Sequence, residues 1–221
     1  MRPYDLICFD VDGTLVTHPK EKIVWEILNL RFTGDDTVNR SRFKQYKRGE
    51  ISYADWVALD VGDWASAGAT RSQILDAIGD LRLIGHARET LAELKRRGHK
   101  LAIISGTIDI VLQALFPEHP FDEVFTNKVF FDETGLLCGW EPTPYDVDGK
   151  ARALREIAGR AGAPVERCAF VGDSFNDVDV ARIAGLSIAL NPKCDELIEV
   201  SDVVLRGESL EALLPYFPGD D

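Results

Sequence analysis

Short, unbroken apolar runs alternate with amphipathic stretches along most of this chain, and one long block near the amino-terminal end interrupts the alternation. Leu6-Ile7-Cys8-Phe9 has the character of a fully buried strand, as do Leu101-Ala102-Ile103-Ile104 and Cys168-Ala169-Phe170-Val171. Between them, residues 87–97 read as a helix ended by Gly98, and residues 151–158 as another. Strand-like Glu123-Val124-Phe125-Thr126 precedes a predicted hairpin through Val129-Phe130-Phe131 and Leu136-Leu137-Cys138, turning at Glu133-Thr134-Gly135. That hairpin is either a flap beside a site or a plain sheet edge. Strands alternating with helices of this length predict an α/β fold.

In the interrupting block, residues 17–81, helical periodicity replaces the strand signals. Ile23, Val24, Ile27, Leu28 and Leu30 form one apolar face, and Ser52 is placed to cap a second helix carrying Tyr53, Trp56, Val57 and Leu59. Thr70-Arg71-Ser72-Gln73 is a capping-box pattern opening a third, with Ile74, Leu75 and Ile78. Trp25, Trp56 and Trp64 all fall in this block and are expected to fill the core of a small helical bundle rather than to stack on a ligand. A helical module inserted there would sit over whatever precedes it, as a lid that excludes water and chooses a substrate.

Composition narrows the function. With 221 residues, 45% of them hydrophobic, the chain can bury one good core plus a small appended module. A formal net charge of -12 leaves no basic excess to replace the counterions of a nucleic acid, so none is expected as a partner. Cys8, Cys138, Cys168 and Cys194 lie far apart with no C-x-x-C spacing, which favours free thiols in a reducing compartment. No stretch approaches eighteen apolar residues and the first strand begins within a few residues of the start. The expectation is a cytoplasmic protein with no membrane partner.

The chemistry lies where the strand-like runs stop. The first ends in Asp10-Val11-Asp12-Gly13-Thr14, putting two carboxylates at a strand's carboxyl end, where open α/β sheets bind ligands. Strand alternation would point Asp10 and Asp12 the same way, so their repulsion calls for a shared proton or a bound cation. Mg²⁺ suits such oxygen ligands and leaves positions open for phosphate. Gly13 permits a sharp turn, and Thr14 offers a hydroxyl and an amide to a phosphoryl oxygen. The second run stops at Ser105-Gly106-Thr107, whose Ser hydroxyl and following amides at the start of a helix can hold phosphate oxygens. Lys150 opens a helix where its charge opposes the macrodipole, an objection that an anionic partner removes. The third run ends in Gly172-Asp173-Ser174-Phe175-Asn176-Asp177; of Asp173 and Asp177, one can ligate a metal and the other pair with Lys150. Taken singly, each motif is also an ordinary turn or helix cap.

D-x-D-G-T, S-G-T, the lysine and G-D-S-x-N-D occur in that order, and together they resemble the haloacid dehalogenase superfamily of phosphatases, most closely its phosphoserine phosphatase group. The likeness extends through Ala184-Gly185-Leu186-Ser187-Ile188-Ala189-Leu190-Asn191 to Val203-Val204-Leu205. It implies a doubly wound, Rossmann-like parallel-sheet core of residues 1–16 and 82–221 with an α-helical cap of residues 17–81. It also implies that Asp10 is a nucleophile forming an aspartyl-phosphate, and that Asp12 is the general acid and then the base. Asp10, the backbone carbonyl of Asp12, and Asp173 would hold Mg²⁺. Ser105, with Gly106, and Lys150 would grip the phosphoryl oxygens, while Asn176 and Asp177 complete the site, Asp177 by orienting Lys150 or metal-bound water.

The expected substrate is a small phosphorylated metabolite. In the phosphoserine phosphatase group a cap glutamate and a cap arginine recognise the amino-acid amine and carboxylate. Aligned on this chain, the glutamate position falls at Pro19, two residues before Glu21, and the arginine position near Asp60, which would repel a carboxylate. Phosphoserine is therefore not the expected preference, unless a cation comes from Arg40, Arg42, Lys44, Lys47 or Arg48, otherwise a solvated helix face. A phosphotransferase with the same motifs and a catalytically silent phosphate-binding module are the competing readings.

Overall fold

The structure, a computed structural model, describes residues 3–219. Leu6–Phe9 (β1) is the central strand, with every side chain buried. After the short β2 (Val16–Thr17) come four helices, α1 (Val24–Thr33), α2 (Val38–Lys47), α3 (Tyr53–Ser66) and α4 (Arg71–Ala77). β3 (Arg82–Leu83) leads into α5 (Ala87–Arg96), β4 (Lys100–Ile108), α6 (Asp109–Leu115), β5 (Glu123–Phe131) and β6 (Leu137–Glu141). The remainder is α7 (Lys150–Ala161), β7 (Cys168–Gly172), α8 (Val178–Ala181), β8 (Leu186–Leu190), α9 (Asp195–Val200) and β9 (Val203–Leu205).

Seven strands form one sheet in the order β6-β5-β4-β1-β7-β8-β9, all parallel except the edge pair β5-β6. β1 lies between β4 and β7, so the chain winds outward from it in both directions and leaves a crevice at the carboxyl ends of these three strands. Alternation along β1 divides the core. Ile7 and Phe9 pack into the cluster that includes Leu91 and Leu94 of α5, while Leu6 and Cys8 pack into the one that includes Leu154 and Ile157 of α7. The doubly wound α/β architecture expected from the motifs is the one found.

β2 and β3 pair antiparallel and form the stem of the helical block. The block holds four helices rather than three, because the basic stretch expected as a solvated face is the separate α2. α3 and α4 begin at Ser52 and Thr70 with the anticipated capping boxes. Leu30 and Leu59, assigned to apolar faces, are instead exposed. Trp64 is buried, its indole donating to Asn29 Oδ1 at 2.8 Å, and Trp25 is buried against it at 5.4 Å between ring centroids, as expected of a core; Trp25 also lines a cavity, as does the half-buried Trp56.

Two local expectations need correction. β4 does not stop before Ser105 but runs on to Ile108 with a break in its pairing to β5, so Ser105, Gly106 and Thr107 lie within an irregular strand and not at a helix start. The predicted hairpin forms between β5 and β6 with Gly135 at φ 83°. It is a sheet edge bridged to the helical block through Thr70 and Leu136, not a free flap. Among the described residues no helix is long and apolar enough to cross a membrane.

Candidate active site

The strand ends at Phe9, and the chain turns immediately. The Gly13 amide donates to the Val16 carbonyl and the Thr14 amide to the Val11 carbonyl, with Gly13 at φ 93°. A Cβ on Gly13 would run into the Asp173 carboxylate and the Lys193 amine, so glycine serves close approach as well as the turn. The Asp10 amide still donates to the Val171 carbonyl of β7 and the turn begins at Val11, so Asp10 and Asp12 both line the same cavity, as alternation predicts. The carboxylates of Asp10, Asp173 and Asp177 have oxygens within 4.8 Å of one another, and Asp12 is outside that group.

Lys150 Nζ sits at the centre, 2.9 Å from Asp10 Oδ1 and 2.7 Å from Asp177 Oδ1, with 1% of its side chain exposed. Burial alone would lower the pKa of this ammonium, but the carboxylates of Asp10, Asp177 and Asp146 outweigh it and hold the group firmly protonated. Asp177 is fixed by its other oxygen, which accepts from the amides of Asp173 and Ser174 at 2.9 and 3.0 Å. The pairing of Lys150 with Asp177 is the one anticipated from sequence.

Burial first, then the neighbouring Asp10 and Asp177, push the Asp173 carboxyl above its ordinary range. Lys193 Nζ, 2.8 Å from Asp173 Oδ2, partly offsets this. Burial and the charge of Asp10 raise Asp12 to about 7. Three buried carboxylates crowding one point repel one another, which is the donor set that a small hard cation relieves, so the residues fit a divalent metal.

Two expected phosphate contacts are placed differently. Thr14 is fully buried; its hydroxyl donates to Asp173 Oδ1 at 3.2 Å and its amide is used by the turn, so it braces a carboxylate instead of meeting a phosphoryl oxygen. Asn176 lines the cavity, but its amide donates to Asp146 Oδ1 at 2.9 Å. Ser105 and Gly106 both face the cavity, the Ser105 hydroxyl accepting from the Thr107 amide at 3.1 Å.

Above these residues is a cavity of about 310 Å³, roofed by the helical block. The roof is tied to the core by the Trp25 indole, which donates to the Gly106 carbonyl at 2.9 Å, and by Asn127 Nδ2, which donates to both Tyr53 Oη and the Gly106 carbonyl at 2.8 Å. Phe43 of α2 meets Phe175 of the core at 5.3 Å between ring centroids. Asp60 is fully buried and bonded to Asn29 and Arg42, so its charge is met inside the helical block.

Asp146, Asn127 and Lys193 were not singled out from sequence. Asp146 and Lys193 lie in connecting segments and Asn127 within β5, with no strand-end motif to mark them. Only the fold brings them to the crevice.

Parallel strands ending in these carboxylates and a buried lysine define a hydrolase of the haloacid dehalogenase type. A family model described as haloacid dehalogenase-like hydrolase matches residues 4–185, and the chain belongs to that family. It is 35% identical over 211 residues to phosphoserine phosphatase SerB2 of Mycobacterium tuberculosis, covering 95% of this chain and 49% of that protein. It is 30% identical over 220 residues to a phosphoserine phosphatase of Archaeoglobus fulgidus, covering 96% and 62%. The chain thus spans between about half and three fifths of these two relatives' length. A solved phosphoserine phosphatase, a phospho-aspartyl intermediate analogue, superposes with a TM-score of 0.75 at 26% identity, covering 96% of this chain and 98% of that one.

Proposed function

We propose that this chain is a Mg²⁺-dependent phosphomonoesterase for a small phosphorylated metabolite, acting through an aspartyl-phosphate on Asp10. The observation that carries the reading is the placement of Asp10. It is 4% exposed, held by Lys150 at 2.9 Å, grouped with Asp173 and Asp177, and open to the roofed cavity. The solved relative's phospho-aspartyl analogue supports the same chemistry.

In the first displacement an Asp10 oxygen attacks phosphorus and the bond from phosphorus to the alcohol oxygen breaks. Asp12, with a carboxyl at about 7, gives its proton to the departing oxygen. In the second, Asp12 takes a proton from water as the water oxygen attacks phosphorus, the bond to Asp10 breaks, and inorganic phosphate leaves. Lys150 and Ser105 orient the phosphoryl oxygens, and the roof excludes bulk water. Asp10, the Asp12 carbonyl and Asp173 would hold Mg²⁺, with Asp177 locking Lys150 beside them. When bound, the ion supplies positive charge between an anionic nucleophile and an anionic phosphate.

Asp60 and Arg42 are bonded to each other within the helical block, so Arg42 is not offered to a substrate carboxylate, which supports the expectation that phosphoserine is not preferred. Four free thiols, two of them buried, favour a reducing, cytoplasmic setting. The test is phosphate release from a panel of phosphomonoesters with and without Mg²⁺, using Asp10→Asn as control. Release should require both. Release that survives Asp10→Asn rejects the reading, and phosphate appearing on an added alcohol instead of water shows a phosphotransferase.

A further inference from the structure

The walls of the cavity carry charge and rings that the phosphoryl chemistry does not use. On the leaving-group side, in the roof, are the carboxylates of Glu21 and Glu26; Asp146 lies instead at the phosphoryl end, where a Cβ on Gly106 would run into its carboxylate and Asn176 donates to it. Neither glutamate has a basic side chain within salt-bridge distance among the described residues. Glu26 bonds only to the Ile23 amide, and Glu21 makes no side-chain bond among the described residues. Against them stands one guanidinium on the same wall, that of Arg40, because Arg42 is held by Asp60 and Asp63. Lys193 is similarly engaged by Asp173. The leaving-group side is therefore net negative. A cleft lined by one sign of charge attracts the opposite sign and repels its own.

The rest of that side is aromatic. Phe43 and Trp56 lie 5.8 Å apart between centroids, Tyr53 and Trp56 6.1 Å, and Phe43 and Phe175 5.3 Å. Phe43, Tyr53 and Trp56 are half-buried, Phe175 is 45% exposed, and all four line the cavity; Lys47 Nζ lies 6.0 Å from the Phe43 centroid, so these rings already meet one cation. Ring faces attract an alkylammonium through their quadrupoles, and several rings around one point form a cage that suits a poorly hydrated cation. A neutral apolar group would gain from the rings but nothing from the carboxylates. A carboxylate would be opposed by two of the three free charges, Glu21 and Glu26 against Arg40.

We infer that the alcohol released by this enzyme carries an alkylammonium group and no carboxylate, so that the substrate is a phosphorylated amino alcohol or quaternary ammonium alcohol. The inference rests on the phosphomonoesterase reading and names the substrate class of the same site. The cation lies against Phe43, Tyr53 and Trp56 with Glu21 and Glu26 supplying negative charge, while the phosphoryl end meets Asp10 and Lys150. Two displacements then release an amino alcohol and inorganic phosphate, as above.

The test compares phosphocholine and phosphoethanolamine with 3,3-dimethylbutyl phosphate, which replaces the quaternary nitrogen by carbon, and with L-phosphoserine, in the intact chain with Mg²⁺. p-Nitrophenyl phosphate serves as the reporter of phosphatase activity itself. The expected result is a kcat/KM for at least one cationic substrate about tenfold or more above both the uncharged isostere and L-phosphoserine. Preference for phosphocholine or for phosphoethanolamine then tells a quaternary from a primary ammonium. Glu21→Gln and, separately, Trp56→Leu should shrink that ratio of cationic to uncharged substrate. Hydrolysis of p-nitrophenyl phosphate with equal or reversed ratios overturns the inference and leaves the phosphatase reading standing. Absence of Mg²⁺-dependent hydrolysis of every substrate, p-nitrophenyl phosphate included, overturns both.

Discussion

Lys150 Nζ stands 2.9 Å from Asp10 Oδ1 with only 1% and 6% of the two side chains exposed, so the charge of one is the principal compensation for the other. Lys150→Met leaves Asp10 and Asp177 buried without their cation. Removal of one partner from such a pair costs about 3–5 kcal/mol. Urea denaturation without added metal should show a loss of that size, and phosphatase activity should fall by orders of magnitude. A variant as stable as the parent would mean that the pair is solvated.

Gly13→Ala tests how closely the turn approaches the acidic group. The substitution puts an L side chain at φ 93° and drives its Cβ into the Asp173 carboxylate. Left-handed backbone costs roughly 1–2 kcal/mol for a residue other than glycine. The expected outcome is a destabilised protein whose stability also responds less to Mg²⁺ in a thermal melt, since Asp173 has been moved. An unaltered Mg²⁺ response would show that Asp173 is not a ligand.

Tyr53→Phe removes the acceptor that Asn127 uses to tie the roof to the core, while Asn127 keeps its bond to Gly106. The loss should be about 1 kcal/mol in stability. A rise in KM with a smaller change in kcat should accompany it, because the roof closes less firmly.

The core of this arrangement was legible in the sequence because fully buried parallel strands read as continuous apolar runs, and their carboxyl ends are marked by abrupt polar motifs. Asp10, Ser105 and Asp173 were found that way, and the sheet sets their strands side by side. Thr14 was misread because its hydroxyl looks the same whether it faces a ligand or a neighbouring carboxylate. The extension of β4 through Ser105-Gly106-Thr107 was hidden because small residues commonly end strands, and pairing with β5 resumes only at Ile108. Asp146 and Lys193 carry no periodicity or spacing signal, so only tertiary structure brings them to the crevice. In the helical block, Asp60 looked like a charge facing substrate; its partner Arg42 is on a different helix, a pairing that no local pattern encodes.

Glu93 gives a pH dependence free of the metal site. Its bonds from Arg96 and Arg97, both 2.7 Å, hold its carboxyl down at about 2. A depressed carboxyl contributes stability that is complete above its unfolded pKa, roughly 4.3, and is lost as pH falls toward the folded value. Glu93→Gln should therefore be less stable than the parent at pH 7, with the two denaturation midpoints converging as pH falls from about 4.5 to about 2. Curves that stay parallel across this window would show that the pairs do not persist in solution.

The central claim, that Asp10 becomes phosphorylated, is tested most directly by quenching the enzyme in acid during turnover with Mg²⁺ and a hydrolysed phosphomonoester. Borohydride then reduces any acyl phosphate, and the peptide spanning residues 3–20 is sequenced by mass spectrometry. Reduction of an aspartyl-phosphate yields homoserine, and the account predicts it at position 10 alone, absent without substrate and absent in Asp10→Asn. Homoserine at another aspartate, or steady phosphate release by Asp10→Asn, would contradict it.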